Sequence, residues 1–140
     1  MDTVSAERRS EIMSRVPSRG SRPEMMVRRL VHGLGFRYRL HGKDLPGRPD
    51  LVFSSRRRVI FVHGCFWHRH PGCALARTPK SRVRFWRAKL DGNRERDIAN
   101  QRKLDTMGWL ALVIWECELR DIQSVTNHVV SFLGQQREID

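Results

Sequence analysis

At 140 residues and 39% hydrophobic content, the chain has the length and apolar share of one compact domain with a real core, and no room for a second. Its 27 Lys+Arg against 15 Asp+Glu give a formal charge of +12, a field that attracts polyanions and releases phosphate counterions on binding them. No segment approaches the roughly 18 apolar residues of a membrane span, and "MDTVSAERRSEIMSRV" lacks the apolar run of a signal peptide. A cytoplasmic protein that binds DNA or RNA is expected, although a basic face also suits ribosomes or acidic lipids.

Residues 5–16 read as a short helix charged nearly all round, with Ile12, Met13 and Val16 its only apolar group. Pro17, Gly20 and Pro23 break the pattern. "SRPE" then reads as a capping box, Ser21 capping and Glu24 reaching back. Val27, Leu30, Val31 and Leu34 follow at helical spacing up to a stop at Gly35. "FRYRL" alternates like a strand, "DLPGRP" turns, and "DLVF" is a second short strand. "VIFVHG" is almost wholly apolar and reads as a central strand buried on both faces.

Residues 81–107 permit a helix with Val83, Trp86 and Leu90 on one stripe, interrupted at Gly92-Asn93. "WLALVIWEC" reads as the second buried strand, and a last helix over 119–133 carries Leu119, Ile122, Val125, Val129 and Phe132 to the core. Apolar strands flanked by amphipathic helices, in the order ααβββαβα, predict a three-layer α/β sandwich with a mixed sheet.

Two groups of residues carry chemistry. Cys65, His70 and Cys73 place three soft donors within nine positions, a density that suits tetrahedral zinc. The fourth donor is Cys117 if "VIFVHGC" and "WLALVIWEC" are neighbouring parallel strands; His68 and His63 are alternative ligands, and Cys117 as a small apolar core residue is the bland alternative. "GRPDLVF" sets Asp50 at a strand start, where a carboxylate on a rigid element can hold Mg²⁺ against a phosphate. Val62 ends the next strand, where its backbone carbonyl can supply a second oxygen. The chain reads Val62-His63-Gly64 where many nucleases have an acidic residue and a lysine, so the proton-transfer role passes to His68, since an imidazole is able to exchange protons near neutrality. Glu24 either reaches the ion's water shell or only closes the capping box.

"LPGRPD", "FVHGCFWHRHPGC", "FWRAKLDGNRERD" and "GWLALVIWECELR", in this order and spacing, resemble the very short patch repair (Vsr) endonucleases of bacteria. The resemblance runs from about Arg8 to Leu133. It implies a restriction-endonuclease-like fold, Mg²⁺, a structural Zn²⁺, and nicking of DNA 5′ of the thymine in a T:G mismatch left by deamination of 5-methylcytosine. Carried over by residue, it implies Mg²⁺ on the Asp50 carboxylate and the Val62 carbonyl. It makes His68 the general base, gives Glu24 and His63 support through the ion's waters, and assigns Zn²⁺ to Cys65, His70, Cys73 and Cys117. Phe66 and Trp67 would push into the base stack from the major groove and Met13, on an arm formed by residues 1–20, from the minor groove. A monomer associated with the nucleoid, a CT(A/T)GG-like context and interaction with MutL are implied by the family alone. Val62 stands where some relatives have threonine, and the "HRHPGC" loop differs in length from versions with an unbroken histidine run. A restriction-like nuclease with another DNA target, or a zinc-stabilised DNA-binding module without catalysis, remain alternatives.

Overall fold

The computed structural model describes residues 21–134; the helix expected over 5–16, and Met13 with it, lie outside them. Helix α1 (Arg22–Gly33) starts as the sequence predicts. Ser21 Oγ accepts from the Glu24 amide at 3.3 Å, and Pro23 occupies the first turn, where a backbone N–H has no intrahelical acceptor. Gly35, at φ +96°, turns the chain after the last helical carbonyls.

Strands β1 (Arg39–Leu40), β2 (Leu51–Phe53), β3 (Arg58–His63) and β4 (Leu110–Trp115) form one mixed sheet in that order. β1 pairs antiparallel with β2 and β2 with β3, whereas β3 and β4 are parallel, as the long connection through helix α2 (Val83–Thr106) requires. Helix α3 (Ile122–Leu133) closes the described chain. Strand alternation sends Leu51, Phe53, Ile60 and Ile114 into one core with Val27 and Val31 of α1 and Val125, Val129 and Leu133 of α3. Val52, Val59 and Phe61 pack on the opposite face with Leu104 of α2. Each fully buried Val, Leu or Ile contributes about 1.5–3 kcal/mol relative to exposure, so β3, apolar on both faces, anchors both cores. The result is the expected α/β sandwich of restriction-endonuclease-like fold.

Four local expectations differ. "FRYRL" pairs only through Arg39–Leu40, both exposed, because Phe36 and Tyr38 turn onto the α1–α3 core and the Tyr38 hydroxyl donates to the Arg28 carbonyl at 3.1 Å. β4 is not buried like β3. It is the last strand of the described sheet, only Ile114 is fully covered, and Leu110 stays 51% exposed. The helix runs unbroken through Gly92-Asn93. A mid-helix glycine costs about 1 kcal/mol, but buried Leu90 and Leu104 hold α2 to the sheet, and Asn93 Nδ2 donates to the Trp67 carbonyl at 3.0 Å. Finally, residues Glu116–Arg120 make a 3-10 turn, and α3 starts only after Asp121, whose carboxylate accepts from the Ser124 amide at 3.1 Å. Among the described residues no helix is long and apolar enough to cross a membrane.

Candidate active site and metal centre

The turn before β2 shapes the first site. Gly47 takes φ +79°, and a Cβ there would meet the Phe61 ring at 3.1 Å, so the turn lies directly against β3. Asp50 leaves that turn at the mouth of a cleft it shares with His41, Val62, His63, His68 and Asp97. Its Oδ2 accepts from the Val62 amide at 2.7 Å. The N–H and C=O of one residue in a strand lie on the same edge, so the Val62 carbonyl also faces the Asp50 side. Continued one pair beyond Asp50 and Phe61, the β2–β3 register sets Pro49 opposite Val62, and proline has no N–H to donate to that carbonyl. An acceptor and a carboxylate are thereby aimed at the same space.

Glu24, 2% exposed, brings a second carboxylate. Donor atoms of Glu24, His41 and Asp50 all lie within 4.8 Å of one another. Arg28 donates to Glu24 Oε2, and His41 Nε2 lies 2.9 Å from the same oxygen. Burial pushes the Asp50 carboxyl up to about 6; its hydrogen bond from Val62 opposes the rise, and the nearby Glu24 charge adds to it. A buried and a partly buried carboxylate whose charges repel suit a divalent cation, which supplies the missing positive charge.

Across the cleft, His63 and His68 stack with ring centroids 3.8 Å apart and planes within 5°. His68 Nδ1 lies 2.6 Å from Asp97 Oδ2 on α2. A carboxylate accepts, so this nitrogen carries a hydrogen, which in a neutral ring leaves the lone pair on Nε2. Burial, then the adjoining His68, hold His63 down at about 3, which keeps it neutral at physiological pH. Its buried Nδ1 has no hydrogen-bond partner among the described residues.

The soft donors gather just beyond β3. Ligand atoms of Cys65, His70, Cys73 and Cys117 lie within 4.8 Å of one another. His70 Nδ1 is 3.6 Å from Cys65 Sγ and 3.4 Å from Cys117 Sγ. A tetrahedral zinc with Zn–S about 2.3 Å and Zn–N about 2.0–2.1 Å would set S···N edges of roughly 3.6 Å, so the quartet fits that ion's size. The parallel pairing of β3 with β4 delivers Cys117 to Cys65, as the sequence predicts. Burial pushes the Cys65 thiol up to about 12, so metal-free it holds its proton. His70 stacks on Trp115 at 4.2 Å and the Cys65 amide donates to Glu116 Oε1 at 3.0 Å, which fixes the loop on the strand end. His68 belongs to the other cluster and not to this one.

Phe66 and Trp67 are half-buried and join Trp86 of α2 in edge-on contacts at 5.1, 5.5 and 6.0 Å. Phe85, 44% exposed, extends the cluster under the Arg82 guanidinium. The sequence reading missed His41, Asp97 and Trp86 as parts of these sites. Only Trp86 had a local signal, and helical spacing assigned it to a packing stripe.

Comparison with known proteins gives the family. The family model described as "DNA mismatch endonuclease Vsr" matches residues 1–74. The type II nicking enzyme V.XorIIP of Xanthomonas oryzae pv. oryzae is 52% identical over 86% of this chain and 88% of its own. V.NmeAIP of Neisseria meningitidis, also a type II nicking enzyme, is 41% identical over 86% of this chain and 85% of its own. The DNA mismatch endonuclease Vsr of Escherichia coli is 39% identical over 88% of this chain and 78% of its own. A restriction-endonuclease-like sandwich, a carboxylate–histidine cleft and these similarities together establish that the chain belongs to the Vsr DNA mismatch endonuclease family and acts on DNA as an endonuclease.

Proposed function

We propose that this endonuclease nicks one strand of duplex DNA, on the 5′ side of the thymine in a T:G mismatch left by deamination of 5-methylcytosine. The observation that carries the reading is the cleft itself: Asp50 and the Val62 carbonyl on one wall, the His68–Asp97 pair on the other, and the Phe66–Trp67–Trp86 cluster reached through the same loop. Asp50 and Val62 would hold Mg²⁺, which when bound supplies charge withdrawal from the scissile phosphate. His68 Nε2 takes the proton of the attacking water as its oxygen bonds to phosphorus and a P–O bond breaks. Asp97 holds the ring in the required tautomer and stabilises the imidazolium that results. His63, neutral beneath it, adds no competing positive charge. Glu24 supports the ion's water shell.

Cys65, His70, Cys73 and Cys117 would hold a structural Zn²⁺ that stiffens the loop carrying Phe66 and Trp67. A T:G pair stacks almost as well as a correct pair, so detection needs a probe of how readily the step opens, and aromatic wedges read that deformability as energy. Half-buried rings already packed on one another suit this role. Met13 would act from the other groove. Removing one damaged base asks for one cut by one copy, so we propose a monomeric single domain that hands its product to further repair, with MutL a candidate partner.

The names of the relatives favour a second reading within the same chemistry, since several are called type II nicking enzymes and not mismatch endonucleases. The deciding assay compares duplexes of one sequence carrying T:G, T:A or C:G at the target, with Mg²⁺ and without. Nicking of the T:G strand alone is expected, and only with Mg²⁺. Equal cutting of all three duplexes, or cutting of both strands, would replace mismatch repair with a restriction-like activity.

A further inference from the structure

His41 stands outside every role assigned above, yet it contacts both acidic residues, Glu24 through its carboxylate and Asp50 through its backbone. Its Nε2 lies 2.9 Å from Glu24 Oε2, while its backbone N–H donates to the Asp50 carbonyl at 3.0 Å. It does so in the left-handed region, at φ +50°, which a non-glycine residue adopts only when its surroundings impose it. The same residue therefore ties α1, which carries Glu24, to the start of β2, which carries Asp50. Arg28 completes the clamp by donating to the Glu24 oxygen that His41 faces.

We infer that His41 is a positioning residue for the divalent cation of the cleft. It holds the Glu24 carboxylate at a fixed place and angle opposite Asp50, so that both reach one ion and its waters. The inference rests on Asp50 being a cation ligand. Without the imidazole, Glu24 Oε2 loses the contact that ties it to the start of β2, while Arg28, on its own helix, still pulls on that oxygen. Partners of this kind, which orient a group around an ion without ligating it, typically change metal affinity by about 10–100-fold when removed.

The test follows Mn²⁺ binding to the zinc-loaded, DNA-free protein by the loss of the free-ion EPR signal, and in parallel the Mg²⁺ concentration giving half-maximal nicking. His41→Gly removes the ring while easing the left-handed backbone. His41→Gln keeps an N–H that can donate to Glu24. We expect His41→Gly to weaken Mn²⁺ binding and raise the Mg²⁺ midpoint by about 10-fold. His41→Gln should recover most of that loss, and the rate at saturating Mg²⁺ should stay close to wild type in both. Wild-type Mn²⁺ affinity in His41→Gly would overturn the inference. So would a fall in the saturating rate with unchanged affinity, which would move His41 to DNA contact or proton transfer. If His41→Gly does not fold, His41→Gln decides alone: Mn²⁺ affinity far below wild type with the N–H present defeats the clamp. Asp50→Ala is the control, because unaltered Mn²⁺ binding there would defeat the Asp50 site itself, whereas loss there beside intact binding in His41→Gly defeats only the role of His41.

Discussion

The two donor clusters meet β3 on either side of its end, at Val62 and at Cys65, and are opposite in construction. Beyond the strand, Cys65, His70, Cys73 and Cys117 are soft, converge at tetrahedral spacing, and are roofed by Trp115. Before its end, Asp50, Glu24 and the Val62 carbonyl are hard oxygen donors in a cleft that also opens to two imidazoles. On one ion the first arrangement would use every donor and leave no position for substrate, as structural sites do. The second would leave coordination to be completed by phosphate and water, as Mg²⁺ sites do. On the proposed assignment, one strand end would separate a group that holds shape from a group that does chemistry, and donor type would keep their ions from exchanging places.

Removing a soft donor should cause the largest change. Cys65→Ser deprives the quartet of its fully buried member, and the loop from Gly64 to Thr78, in which no other residue is fully buried, should lose its order. Bound zinc per chain, by metal analysis, should fall well below one, with a lower Tm and no nicking. Retention of stoichiometric zinc and of the wild-type Tm would remove the distinction between the clusters. A smaller and more selective effect is expected at His68, outside the quartet. His68→Ala should slow nicking by roughly 10²–10⁴-fold, the usual scale for a lost general base, with zinc unchanged; zinc loss in that variant would assign the residue to the wrong cluster.

The smallest effect concerns stability. The carboxyl of Asp50 is raised from its ordinary value to about 6, so the metal-free fold favours the protonated form. Between about pH 4 and 6 the folded chain binds a proton that the unfolded chain has released, so stability falls as pH rises through that window. Asp50→Asn should therefore stabilise the metal-free protein at pH 7 by on the order of 2 kcal/mol while abolishing nicking. Chemical denaturation at pH 4 and pH 7 checks the sign: a variant less stable than wild type at pH 7 would mean that the oxygen cluster is a stabilising network and not a cation site awaiting charge.

Much of this was legible in the chain because it is local. The Ser21 cap and the Val27–Val31 spacing define α1, the unbroken apolar run defines β3, and the close spacing of Cys65, His70 and Cys73 announces a soft site. Cys117 was legible one step further on, through the rule that parallel strands end together. His41 and Asp97 were not, since each meets its partner across 17 and 29 positions and no periodicity links them. The apolar content of β4 suggested a buried strand, but composition does not tell a central strand from a terminal one. Gly92 suggested a break because propensity counts its cost and not the anchors at Leu90 and Leu104.

The late arrival of Cys117 has a consequence for the order of biosynthesis. It lies 52 positions after Cys65 and emerges behind the strand that must first dock on β3. At translation rates of about 5–20 residues per second, the ribosome has exposed Asp50, His63 and His68 for roughly 3–10 seconds before the last thiol appears. On the proposed assignment, half-made chains would therefore carry the cutting groups without the frame that aims them, and the enzyme would be armed only after β4 and Cys117 have followed.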